Sequence, residues 1–286
     1  MKYAFIKQHQ QQHAVAQLCR VLAVSRSGFY DWVCRAESDR AKRHRCLSQQ
    51  IKIFFEESHQ TYGAVRICRD LREAGHRVGK NTVALLMRRV GLLPKTLRRF
   101  RITTDSRNTK AMPNLLAQQF STDKPNHRWV SDMTFIPTRQ GWLYLAVVLD
   151  LFSRACIGWS MSERMKSSLA LDALNMAVLR RSPTQPVLVH SDRGSQYGAD
   201  DYQQRLKANG MIASMSRKGH CWDNAVAESF FHTLKTELTH HQLYQSRLEA
   251  KESVFKYIEV FYNRKRRHSF LNYQAPMVYE VNYQNP

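Results

Sequence analysis

Long apolar runs are missing from this 286-residue chain: the longest, Trp142 to Leu149, has eight residues and is closed by Asp150. A membrane-spanning helix needs roughly 20, so no span and no membrane partner are expected. The opening MKYAFIKQHQQQH contains no uninterrupted apolar stretch of signal-peptide length, so no secretory leader is expected either. The six cysteines, at 19, 34, 46, 68, 156 and 221, include no CxxC pair and no dense framework. They read as buried or idle thiols in a reducing cytosol. Acidic residues are scarce too: 23 Asp+Glu stand against 44 Lys+Arg, a net charge of +21. With 43% hydrophobic and 10% aromatic residues the chain can still build a core, so it is not disordered overall. The excess is uneven, with 23 basic and 8 acidic residues in 1–120 against 21 and 15 in 121–286. Such a charge opposes compaction unless a polyanion is nearby, which points to nucleic acid.

Residues 13–35 have helical spacing at Val15, Leu18, Val21 and Leu22. Ser25 is a plausible cap, and Phe29, Trp32 and Val33 continue a second helix; the size fits a helix-turn-helix or a plain helical hairpin. Residues 61–92 repeat the theme, with Val65, Ile67, Cys68 and Leu71 on one helix and Val83, Leu86, Met87 and Val90 on the next. Arg66, Arg69, Arg72, Arg77, Lys80, Arg88 and Arg89 decorate the pair, a pattern that favours phosphate contact. The expected organisation is an N-terminal helical segment (1–45), a helix-turn-helix module (46–93) and a basic linker (94–127) marked by Pro94, Pro113 and Pro125. A core (128–240) and a C-terminal amphipathic helix with a basic tail (241–286) follow.

In the core, strands are expected at 129–138, 142–153, 155–161, 187–190 and 211–216, with helices near 165–181, 199–209 and 224–239. The order β-β-β-α-β-α-β-α implies an α/β fold: a meander, then crossovers, giving a mixed five-stranded sheet with flanking helices. The last helix should turn Leu248, Phe255, Ile258 and Tyr262 inward before the run Asn263 to His268.

Asp132 sits inside the first strand, where an acid is costly to bury unless it has partners or binds a cation. Asp192 follows the fourth strand, at the carboxyl end where such sheets place ligands, and Glu228 lies just inside a helix. Three carboxylates that can converge suit a hard divalent cation, and Mg²⁺ fits because it needs few protein oxygens. Asp150 could share the site, whereas Asp223 reads as a helix cap.

The segments WVSDMTFI, GWLYLAVVLDLFSRACIGWSM, VHSDRGSQY, SMSRKGHCWDNAVAESFFHTLKTE and YNRKRRHS stand in order, with thirty-five residues between Asp192 and Glu228. Together they resemble the DDE transposases of the insertion-sequence-three family, specifically the downstream-frame (OrfB) product. The resemblance covers almost the whole chain, including TYGAVRICRDLREAGHRVGKNTVALLMRRVGL. It implies a ribonuclease-H-like core related to retroviral integrases, preceded by all-α helix-turn-helix modules, with Asp132, Asp192 and Glu228 as metal ligands. The family pattern also has a basic residue seven positions after the glutamate. Lys235 stands there, on the same helix face as Glu228 and able to touch a DNA phosphate.

The implied enzyme is a polynucleotidyl transferase in which two Mg²⁺ (or Mn²⁺) ions about 4 Å apart would activate the attacking oxygen and stabilise the leaving one. Water would first free a 3′-OH at the element's end, and that hydroxyl would then join another strand, with no covalent protein intermediate. Gln196 and Tyr197 are expected to line the DNA groove, and Arg264, Lys265, Arg266 and Arg267 to bind phosphate. His190 reads as a satisfied strand histidine. His9 and His13 stand with Cys34 and Cys46, but those cysteines are too far apart for a zinc knuckle.

The expected partners are double-stranded DNA, both element ends and target, further copies of this chain on that DNA, and the upstream-frame product or a fusion with it. No sustained heptad pattern precedes residue 60, so the chain is expected to be the catalytic half. Its expected place is the cytoplasm, on the nucleoid. The competing readings are a non-catalytic helix-turn-helix regulator and a hydrolytic nuclease of the same fold.

Overall fold

The computed structural model describes residues 1–95, 112–218 and 220–284. The chain divides into two compact units, Met1–Lys52 and Ile53–Pro286. In the first, helices α1 (Lys2–His9), α2 (Val15–Val21) and α3 (Arg26–Cys34) enclose Ile6, Cys19 and Phe29. Ser25 caps α3 by accepting a hydrogen bond from the Gly28 amide at 3.2 Å. Val21, expected inside, is exposed: the buried stripe runs Val15, Leu18, Cys19, Leu22, and position 21 falls off it. Helix α4 (Asp39–Glu57) runs from the first unit into the second.

The second unit opens with α5 (Ala64–Glu73) and α6 (Lys80–Arg89), which bury Ile67, Cys68 and Leu71 with Val83, Leu86 and Met87. Gly75, at φ +86°, makes the left-handed turn between them, and the Arg72 Nε donates to the Val78 carbonyl at 3.0 Å. Val65 is exposed rather than lining α5.

Strands β1 (Arg128–Thr138), β2 (Gly141–Asp150), β3 (Cys156–Ser162), β4 (Leu188–Ser191) and β5 (Ile212–Met215) form one sheet in the order β3-β2-β1-β4-β5. β1–β2 and β2–β3 are antiparallel, while β1–β4 and β4–β5 are parallel. The connections carry α7 (Ser167–Arg181) and α8 (Asp200–Ala208); α9 (Ala225–Glu237), α10 (Arg247–Phe255) and α11 (Pro276–Gln284) follow. Helices α7 and α8 pack Leu169, Ala170, Ala173, Leu174 and Tyr202 against Trp129, Ala146, Val148 and Ile157. Gly158 permits this contact, because a Cβ there would lie 2.2 Å from the Ala173 carbonyl oxygen. The alternate residues Val130, Val147 and Leu149 are buried as well, so the sheet is covered on both faces.

Two expectations need correction. The segment 112–127 is anchored to the core rather than a free linker: Leu116 is buried, and the amides of Leu115 and Leu116 donate to the hydroxyl of Ser214 in β5. The rest of the expected linker, 96–111, lies outside the described residues. On the last helix, Ala250, Val254, Tyr257, Ile258, Phe261 and Tyr262 are buried, but Leu248 and Phe255 are exposed. A π-turn over Lys256–Tyr262 inserts extra residues per turn and rotates the apolar face away from its 3.6-residue extrapolation.

After that turn the tail ties the unit together. Asn263 pairs its side-chain amide with both backbone groups of Cys156, at 2.9 Å each. Arg266, 4% exposed, gives Nε and Nη2 to the two carboxylate oxygens of Glu237 at the end of α9, each at 2.8 Å. The Tyr257 hydroxyl donates to the same carboxylate at 2.7 Å, and Arg66 of α5 stands 3.8 Å from it. Arg267 bonds Asp70 and Glu73 of α5. Removing one member of a buried ion pair strands the other charge. Arg266→Ala is therefore expected to destabilise the second unit by about 3–5 kcal/mol, read as a shift of the denaturation midpoint; an unchanged midpoint would contradict the clamp.

Candidate active site

The register of β1 and β4 sets the site. Ser131 pairs with Ser191, the last residue of β4, so Asp132 and Asp192 come next on adjacent strands whose backbones are about 5 Å apart. β1 continues to Thr138 without β4 beside it, leaving Asp132 in the opening where its neighbour stops. Each carboxylate is held by a nearby amide: Met133 N donates to Asp132 Oδ1 at 2.8 Å, and Gly194 N to Asp192 Oδ1 at 2.9 Å. A Cβ on Gly194 would lie 3.0 Å from that Asp192 oxygen, so the turn is tight.

Glu228 arrives on the first turn of α9, and the start of that helix is fixed by the two residues before it. Asn224, 3% exposed, donates its Nδ2 to the Ser131 carbonyl at 3.2 Å. Asp223 is fully buried and accepts from Asn114, Gln118 and three nitrogens of Arg217. Hydrogen bonding to Arg217 holds its carboxyl well below the usual carboxylate range. Asp223 is thus the fastening of the turn rather than a helix cap.

The site groups feel one another. Burial first, then the charges of Asp192 and Glu228, push the Asp132 carboxyl well above its ordinary value, against the Met133 hydrogen bond. Burial raises Asp192, and burial with the Asp192 charge raises Glu228. Lys235, half-buried on α9, is lowered by burial and partly held up by Asp132; its Nζ lies 5.3 Å from the centre of the Phe135 ring. Among the described residues, no three acidic, histidine or cysteine side chains converge tightly enough to grip an ion without moving. The fit to a cation is chemical. Hard oxygen donors of like charge, whose ionisation is opposed by burial and by each other, are what a divalent cation relieves.

The other expected residues divide. Arg69, Lys80, Arg88, Arg89, Arg264 and Lys265 are exposed, and Gln196 is half-exposed with its Nε2 on the Met165 carbonyl. Tyr197 is fully buried, its hydroxyl accepting from Ser131, so it is core and not a groove contact. Arg266 and Arg267 are corrected likewise, since the clamp on Glu237, Asp70 and Glu73 occupies them, and Arg66 leans on Tyr62 and Glu237. Asp150 does not share the site. It pairs with Trp129, three residues back along β1, and its carboxylate accepts from the Asn126 and Phe152 amides, with burial pushing it up to about 6. His190 is buried between the Ser214 and Ser216 hydroxyls, and burial lowers it to about 4. Asn114, Gln118 and Arg217 were not foreseeable from local pattern, because their partner lies far away or was read as a cap. Asn224 was legible as the expected start of the helix that carries Glu228.

Acids whose folded pKa is raised make the folded chain bind protons more avidly than the unfolded one. Stability without cations therefore falls as pH climbs above the ordinary carboxylate range. In calorimetry with chelator, Asp192→Asn is expected to raise the melting temperature at pH 7 by roughly 2–4 °C per kcal/mol relieved and to flatten its decline between pH 5 and 7. A lower melting temperature in the variant would contradict the repulsion.

The integrase core domain matches residues 122–221, a second integrase core model matches 209–276, and an HTH-like domain matches 42–100. The transposase InsF for insertion sequence IS3A of Escherichia coli (strain K12) is 45% identical over 283 residues, 98% of each chain. The insertion element IS600 31 kDa protein of Shigella sonnei is 42% identical over 93% of this chain and 98% of its own. The HTLV-2 integrase catalytic core in complex with magnesium superposes at 17% identity over 54% of this chain and 94% of its own; its TM-score, 0.40, is too low to argue from. With 45% identity to InsF over 98% of each chain and two integrase core models matching its sheet and following helices, the chain belongs to the insertion-sequence-three family of DDE transposases.

Proposed function

We propose that this transposase cuts and joins DNA at the Asp132–Asp192–Glu228 cluster, with the three carboxylates holding two Mg²⁺ (or Mn²⁺) ions and Lys235 steadying a phosphate beside them. The observation that carries the reading is the strand register, which sets two half-buried aspartates side by side one residue past Ser131 and Ser191. Their mutual repulsion makes positive charge welcome there. Bound ions would supply Lewis-acid activation of an attacking oxygen and stabilise charge on the leaving one.

The chain's own residues do the placing. The Met133 and Gly194 amides fix one oxygen of each aspartate, and α9 brings Glu228 and Lys235 in on one face. An integrase core suits two in-line displacements, first by water at the element's 3′ end and then by the freed 3′-OH on the target, with no covalent protein intermediate needed. The exposed Arg69, Lys80, Arg88, Arg89, Arg264 and Lys265 would hold duplex phosphates, with Gln196 at the rim. Copies of the chain would assemble on the two element ends, together with the upstream-frame product, in the cytoplasm on the nucleoid.

The test uses a labelled terminal-repeat duplex, Mg²⁺ and a plasmid target. Asp192→Asn is expected to lower strand cleavage by roughly 10²–10³-fold or more while shifting duplex affinity little, and wild type should both cleave and join. Full activity in the variant would overturn the assignment. Cleavage without joining would favour a hydrolytic nuclease, and binding alone a regulator.

A further inference from the structure

Asn224 holds α9 to β1 through its nitrogen, but its oxygen has no partner among the described residues that accounts for it. The residue is 3% exposed and directly precedes α9. Glu228 stands on the first turn of that helix, four positions further on. The Asn224 side chain is turned toward β1, because Nδ2 donates to the carbonyl of Ser131, the residue before Asp132. The bond also settles which way the amide points. Ser131 offers an acceptor, so nitrogen must face it and oxygen must occupy the other branch. That oxygen, Oδ1, is buried and has no hydrogen-bond partner among the described residues. An orphaned buried acceptor costs about 1–3 kcal/mol. Asn224 bears this penalty at the start of the helix that carries Glu228 and against the strand that carries Asp132.

We propose that the Asn224 Oδ1 is a fourth, neutral oxygen of the cation site. It would take a place beside Asp132, Asp192 and Glu228 while the nitrogen of the same amide keeps α9 docked on β1. An amide oxygen is a hard donor of the kind that divalent cations accept from asparagine. Being uncharged, it adds a ligand without adding to the repulsion that already opposes ionisation of the three acids. The amide does two things that no carboxylate could do together: donate to Ser131 and offer oxygen to a cation.

This inference rests on the cation reading above, and the test separates them. Mn²⁺ binding to the full chain is followed by electron paramagnetic resonance, alongside thermal unfolding in chelator. Asp192→Asn should weaken Mn²⁺ binding strongly. Asn224→Ala should weaken it about tenfold or more and also lower the unfolding temperature, because the Ser131 bond is lost. Asn224→Asp is the deciding variant. It sets a carboxylate against the Ser131 carbonyl and so should be less stable than wild type in chelator, yet it keeps an oxygen donor and should bind Mn²⁺ at least as tightly as wild type.

If Asn224→Ala binds Mn²⁺ as wild type does, or Asn224→Asp loses affinity as the alanine variant does, Asn224 is only a clamp and the inference falls, while loss of binding in Asp192→Asn leaves the carboxylate site standing. If Asp192→Asn leaves Mn²⁺ binding unchanged, the carboxylate site itself is refuted and the inference goes with it.

Discussion

Two carboxylates set side by side where water is scarce repel each other, and the second unit is organised so that they cannot move apart. The repulsion alone would spread the strands, since like charges a few ångströms apart interact far more strongly in protein than in water. The parallel ladder between β1 and β4 resists this through the Ser131–Ser191 register. On one face α7 lies against β3 so closely that only Gly158 fits. At the other side the α9 turn is fastened twice, by Asn224 to Ser131 and by Asp223 to Arg217, Asn114 and Gln118. The sheet is thus a frame that keeps an unfavourable charge arrangement in place.

The basic excess has two separate uses. Arg181, Arg266 and Arg267 are matched to Glu280, Glu237, Asp70 and Glu73, and Arg154 lies 4.0 Å from the centre of the Phe270 ring. These guanidiniums hold parts of the second unit to one another. Arg69, Lys80, Arg88, Arg89, Arg264 and Lys265 point to solvent. A run such as RKRR looks uniform in sequence, yet Arg264 and Lys265 are exposed while Arg266 is buried. Net charge overstates what a nucleic acid would meet.

Much of this was readable from residue order. The alternation of β1, the near-continuous apolar run of β2 and the helical spacing of α7 follow local periodicity, so strand order and sheet type were accessible. The acids stood out because Asp132 interrupts an apolar strand and Asp192 ends one. The failures share a cause. Leu248 and Phe255 were turned inward by assuming a uniform helix, where a π-turn resets the phase. Tyr197 and Arg266 look like ligand contacts beside polar neighbours, but partners far along the chain, Ser131 and Glu237, draw them inside. The composition of 112–127 resembles a linker, but its polar groups find β5 and Asp223. Periodicity reports neighbours within a turn or two and is blind to partners a hundred residues away.

That blindness is sharpest where the tail meets the beginning of the second unit. Arg267 and Asp70 are separated by 197 positions, and Tyr62 donates its hydroxyl to the Lys265 carbonyl across 203. Contacts of such span close large loops and form late and slowly. The ribosome makes Asp70, Glu73 and Glu237 well before the arginines that neutralise them. A chain cut short by a few dozen residues would leave Glu237 at the end of α9 without Arg266 and with only the more distant Arg66 to answer it. In this DNA transposase, completeness of synthesis thereby becomes a condition for a finished α9.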